Sequence, residues 1–207
     1  GVMTDEGVET EMIHLRDHTI AFGMAKDLSD EELDDWPAIQ ERVMAADIVV
    51  IGTPIWLGVK SSVATLAVER LYAYSAETNS KGQYLYYGKV AGCVVTGNED
   101  GVKAVAMETL YALQHIGFTV PPQADCGWIG PIGPGPSYGD PADEGETPVG
   151  YDSEFTNQNA TIMAWNLMHV AAMLNANGGI PATGTTGEGW RSVSNAADQN
   201  VSAVPEG

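Results

Sequence analysis

The chain has 207 residues, is 44% hydrophobic, and carries 28 Asp and Glu against 9 Lys and Arg, a formal net charge of −19. That suffices for one globular domain with a sizeable core. Such acidity repels phosphate backbones and excludes nucleic-acid binding, and no apolar run reaches the length of a membrane span.

In chain order, residues 1–7 are polar and read as a helix-to-strand connection whose helix is missing; nothing at the start has the shape of a signal peptide. Residues 9–15 hold Met12, Ile13 and Leu15 and predict a first strand. Residues 18–32 form a polar excursion. Asp34 or Asp35 then caps a helix with Pro37 in its first turn, running through Ile39, Val43 and Met44 to Ala46. Ile48, Val49, Val50 and Ile51 make an unbroken β-branched run, the pattern of a strand buried on both faces. Gly52 is expected to turn the backbone and Pro54 to stop the ladder, leaving a ligand-sized loop at 53–59. Ser61-Ser62 predict the cap of a helix over 63–73.

After a loop at 75–83, Tyr84, Tyr86 and Tyr87 read as covers for the sheet edge. Residues 89–96 predict a second buried strand, 102–115 a helix with Val105, Leu110 and Leu113 inward and Gly117 at its end, and 124–129 a third strand. Strands alternating with helices signal a parallel sheet with right-handed crossovers. Residues 131–150, rich in Gly, Pro and acid, predict an extended loop. A last helix over 157–174 offers Ile162, Trp165, Leu167, Met168 and Met173 for packing, and Gly178-Gly179 ends it. The domain is therefore expected over 1–181, with 182–207 a disordered tail.

Metal chemistry, phosphoryl transfer and serine hydrolysis all lack their motifs: there is no metal-spaced His or Cys cluster, no Walker sequence, no Gly-x-Gly-x-x-Gly and no Gly-x-Ser-x-Gly. His14, His18, His115 and His169 sit on separate elements and read as surface or satisfied core. Cys93 and Cys126 lie far apart and read as two buried thiols in a reducing cytosol, so the expected compartment is cytoplasmic. Two readings fit the net charge, an acid-rich proteome and a surface that docks a basic partner. What remains is a pair of loops at the carboxyl ends of neighbouring buried strands, Gly52-Thr-Pro-Ile-Trp-Leu-Gly58 and Thr96-Gly-Asn-Glu-Asp-Gly101. In open α/β sheets ligands bind there. Backbone N–H groups beside apolar side chains suit a planar heteroaromatic ligand.

These residues carry a resemblance. Ile51-Gly-Thr-Pro-Ile-Trp-Leu-Gly58 resembles the second flavin loop of the flavodoxin-like NAD(P)H-dependent FMN reductases and quinone reductases. Val95-Thr96-Gly97 with its continuation is similar to the family's third flavin loop, and Gly133-Pro-Gly-Pro-Ser-Tyr-Gly139 to a late Gly-Pro-Tyr-Gly segment. The likeness covers roughly residues 8–181.

The resemblance implies a flavodoxin-like, doubly wound α/β fold in three layers, strand order 2-1-3-4-5, with FMN at the switch point. The implied cofactor contacts are Thr53, Pro54, Ile55, Trp56, Leu57, Gly58, Thr96, Gly97, Asn98, Asp100, Gly101 and Tyr138, the last closing the pocket from a neighbouring subunit if copies assemble. The implied reaction passes a hydride from NAD(P)H through FMN to a quinone or another small-molecule acceptor, and needs no side chain as acid or base. The chain departs from the family in lacking a first strand, Ser/Thr-rich phosphate loop and first helix, which is expected to weaken FMN binding. Two other readings compete. One is a flavodoxin-type electron carrier without nicotinamide turnover, which the acidity suits. The other is a structural sheet, or a truncated fragment, whose loops hold nothing.

Overall fold

The centre of the sheet is β3, Val90–Gly97, whose Val90, Ala91, Cys93 and Val95 are all fully buried. The computed structural model describes residues 1–24, 26 and 34–187. On either side of β3 run β1 (Ile48–Trp56) and β4 (Asp125–Ile129), both parallel to it, with Ile51 opposite Cys93 and Cys93 opposite Asp125. A two-residue antiparallel strand, β2 (Val59–Lys60), completes the order β2-β1-β3-β4.

Period-2 alternation on β3 sorts its side chains to two faces. Ala91 points to a cluster built from α2 (Trp36–Ala45), α3 (Ser62–Tyr72) and α4 (Val102–His115), and Cys93 and Val95 pack on Val105 and Ala106 of α4. Val90 and Val94 point the other way, to Met163, Leu167 and Ala171 of α5 (Glu154–Ala176), where Met3 of the short α1 (Val2–Asp5) also packs. The result is a three-layer, flavodoxin-like α/β fold. Local signals set the helix ends: Ser61 Oγ accepts from Ala64 N–H at 3.2 Å, and Ser153 Oγ from Thr156 N–H at 3.3 Å.

Several expectations need correction. Residues 9–15 form no strand and pair with no other strand among the described residues, and Leu15–Asp17 is a 3-10 turn. Ile13, Leu15 and Ile20 nevertheless pack on the α2–α3 side of the core. An apolar stretch without a neighbouring ladder buries its side chains and leaves its backbone outside the sheet.

The strand expected to be buried on both faces is only partly buried over 48–51, and it also lies at the edge of the parallel ladder. Among the described residues nothing pairs with the outer side of β1 along 48–54, and Val50 is 38% exposed. Nor does Pro54 stop the ladder, since it sits opposite Thr96. The Asp47 carbonyl accepts from Val90 N–H, so alternation turns the Pro54 nitrogen outward, where no ladder bond is lost. Residues 53–59 are accordingly a strand end and a tight hairpin rather than an open loop.

Tyr86 is no edge cover: it is buried, stacked on Phe118 at 4.6 Å, and its hydroxyl donates to the Leu71 carbonyl at 3.0 Å. Helix α5 is longer than expected, and it leaves Trp165 and Met173 on the surface. Of the predicted tail, 188–207 lies outside the described residues, as do residue 25 and residues 27–33 of the polar excursion. Residues 180–185 lie against the domain, with the Gln83 amide donating to the carbonyls of Ile180 and Pro181 and to Thr185 Oγ1.

Both cysteines are free and buried. Burial, with Asp125 adding to it, pushes the Cys93 thiol up to about 12, and burial also raises Cys126. Neither forms thiolate near neutrality, so a thiol-reactive disulfide reagent at mildly alkaline pH should label neither site in the folded chain and both in urea. Labelling of native protein would mean that β3, at Cys93, or β4, at Cys126, opens locally. The sign of the linkage follows from the raised value: stability is fully present below the ordinary thiol value of 9.0 and is lost as the pH rises towards 12.

Candidate functional site

Three segments meet at the carboxyl end of the sheet. The first is the hairpin after β1. Leu57 and Gly58 have φ of 54° and 79°, both positive as a type I′ turn requires, and Trp56 pairs with Val59 across them. This two-residue turn holds Trp56 out from the sheet, 58% exposed.

The second segment follows β3. At Gly101 φ is 137°, and a Cβ there would stand 2.8 Å from the Gly58 carbonyl oxygen, so only glycine lets the two turns touch. The third is 130–138, which Asn98 laces to the end of β3. Asn98 Nδ2 donates to the Pro136 carbonyl at 3.0 Å, the Asn98 carbonyl accepts from Gly133 N–H at 3.3 Å, and Gly130 N–H donates to the Gly97 carbonyl at 2.8 Å. Beyond it, Tyr138 lies edge-on to Trp128 at 5.7 Å and beside Tyr151 at 5.6 Å. Burial, with Cys126 and Tyr151 adding to it, raises its phenol.

Together these segments enclose a cleft of about 490 Å³. Of the residues expected as cofactor contacts, Pro54, Ile55, Trp56, Thr96, Gly97, Asn98 and Tyr138 line it, Tyr138 from the same chain. Trp56 and Asn98 stand on one cavity. The others do not line it. Thr53 is buried, its hydroxyl accepting from Ser61 N–H at 3.1 Å, so it fastens β1 to the start of α3. Leu57 projects into solvent, Gly58 and Gly101 back onto each other, and Asp100 is exposed. Glu99, Ile132, Gly133 and Ser137 line the cleft without having been singled out in the sequence. Glu99 falls inside the second loop, and Gly133 and Ser137 inside the Gly/Pro motif, so position was their signal and residue type was not.

The donor set fits a flat heteroaromatic ring. Ile55, Trp56, Ile132 and Tyr138 give apolar walls. Of the lining residues, Asn98 and Glu99 have N–H groups without a partner among the described residues, and no side chain caps α4 after them. Such groups serve the polar edge of a ring. The cleft lining contains no Lys or Arg, so this cavity has no cation for a phosphate.

The model of the NADPH-dependent FMN reductase family matches residues 1–127, more than half of the chain. The chain belongs to this family. Both β-strand loops of this FMN reductase relative lie within the matched residues, while Ile132, Ser137 and Tyr138 lie beyond them. A crystal structure of RosB with bound 8-demethyl-8-formylriboflavin-5'-phosphate superposes with a TM-score of 0.74 at 32% identity, covering 98% of this chain and 77% of that one. An 8-demethyl-8-aminoriboflavin-5'-phosphate synthase of Streptomyces davaonensis is 37% identical over 177 residues, 82% of this chain and 66% of that protein. A divalent metal cation transporter, MntH, of Mycobacterium bovis is 49% identical over 199 residues, 90% of this chain and 28% of that protein. The chain thus spans 28% and 66% of these two curated relatives. Among its own described residues no helix is long and apolar enough to cross a membrane.

Proposed function

We propose that the cleft between Trp56, Asn98 and Tyr138 holds the isoalloxazine ring of FMN, and that the chain works as an FMN-dependent oxidoreductase using NAD(P)H and a quinone-like acceptor. The observation that carries this reading is the convergence of two strand-end loops and one Gly/Pro segment on a single cavity with apolar walls and unpartnered N–H groups. When bound, the flavin supplies the hydride-accepting ring. The chain's own part is to flank that ring with Trp56 and Tyr138, to meet its polar edge with the N–H groups of Asn98 and Glu99, and to give it apolar contact with Ile55 and Ile132. Free, buried thiols are what support a cytoplasmic location.

Steady-state oxidation of NAD(P)H with added FMN and a quinone tests the activity. A rate that saturates in quinone and exceeds that of free FMN is expected; a rate equal to free FMN overturns the reductase. A second reading is favoured by the relatives whose names concern riboflavin-5'-phosphate derivatives. In it the flavin is itself the molecule altered, and mass spectrometry of the flavin recovered after incubation separates the two.

The phosphate has a consequence of its own. The lining offers it no cation and the chain carries a net charge of −19, so riboflavin should bind at least as tightly as FMN, and added salt should strengthen FMN binding by screening. Parallel fluorescence titrations read this out. Sub-micromolar FMN binding tenfold tighter than riboflavin would contradict the expectation.

A further inference from the structure

We infer that Glu99 is a positioning residue that holds the Trp56 wall of the cleft in place, an inference that rests on the flavin reading above. Leu57 adopts φ 54° without being glycine, and its side chain is 92% exposed, so packing does little to keep the turn in that conformation. Among the described residues, the only hydrogen bond from Leu57-Gly58 to another element is Leu57 N–H to Glu99 Oε1, at 2.7 Å. An ionised acceptor makes that bond short and strong. Glu99 stands on the loop after β3, next to Asn98, which ties down the Gly133–Pro136 side through its own amide and carbonyl.

Two adjacent residues therefore fasten opposite walls, and Glu99 is also the one carboxylate lining the cleft. Without its acceptor, Leu57 relieves its backbone by leaving the left-handed region, and Trp56, one residue earlier, moves with it. The effect on a ligand is transmitted through Leu57.

Three variants of the full chain test this: Glu99→Gln, Glu99→Ala, and Glu99→Ala with Leu57→Gly. Amide hydrogen exchange over residues 55–60 is measured without ligand, and riboflavin affinity by titration. Glu99→Ala should speed exchange and weaken riboflavin by about tenfold each, while Glu99→Gln, which keeps a carbonyl acceptor, should stay within about threefold on both. Glycine at 57 removes the backbone cost, so the double variant should return to within about threefold of the parent in affinity.

Unchanged exchange in Glu99→Ala overturns the inference. So does faster exchange with no recovery in the double variant, because Glu99 would then act on the ligand directly. If the parent chain binds no riboflavin, the flavin reading falls, and the exchange measurement by itself still decides whether Glu99 holds the turn.

Discussion

Arg70→Ala should destabilise the fold by about 3–5 kcal/mol, read from urea unfolding, because it strands a carboxylate in the interior. Arg70 and Asp34 are both buried side chains, 0% and 1% exposed, joined at 2.6 Å. The guanidinium also donates to the carbonyls of Ala21 at 3.0 Å and Lys26 at 3.2 Å, and lies 5.7 Å from the Trp36 ring. Asp34 in turn accepts from the N–H groups of Trp36 at 3.2 Å and Ala21 at 3.3 Å. One ion pair thus attaches Ala21 and Lys26 to α3 and the start of α2. Asp34→Asn should be comparably costly, leaving the cation uncompensated.

Replacing both together, with Met at 70 and Leu at 34, should cost less than the sum of the single changes, since the pair's desolvation vanishes with its attraction. In Arg70→Ala, trypsin should cut after Lys26 before the rest of the chain unfolds. A single-variant cost below about 1 kcal/mol would mean that water reaches the pair.

Trp56→Ala should weaken flavin binding by about 5- to 150-fold, the affinity equivalent of the roughly 1–3 kcal/mol that stacking a planar base on an aromatic side chain contributes. Its large exposure separates binding from folding. With most of the indole in solvent, truncation removes little buried area, so the urea midpoint should barely move. Trp56→Phe should keep most of the affinity, because a second flat ring replaces the first. Titration of riboflavin against both variants reads this out, and full affinity in Trp56→Ala would remove the tryptophan from the binding surface.

The sequence made local features legible and hid those that depend on distant partners. Helix α4 starts and ends where Gly101 and Gly117 place it, and Ser61 caps α3, because such signals act within one turn of chain. The strands β3 and β4 and the meeting of the two strand-end loops follow from the alternation of strands and helices. Residues 9–15 have the side chains of a strand, but a strand also needs a neighbour, which residue type does not report. Pro54 looked like a stop because its side of the ladder could not be known without the register. Arg70 and Asp34 are 36 positions apart, and Glu99 meets a backbone N–H 42 positions away. Nothing in a single sequence marks either partnership.

Among the described residues the outer side of β1 along 48–54 is unpaired, and this carries a further implication. Ile48, Val49, Val50 and Ile51 present no lysine to an incoming chain, and their outward amides and carbonyls form a template for cross-strand growth. Mutual repulsion between acidic copies opposes that growth only over a Debye length, about 8 Å at physiological ionic strength. Colloidal behaviour in this molecule is therefore coupled to electrolyte: conditions that quiet its charge are the ones that invite fibrillar stacking along this rim.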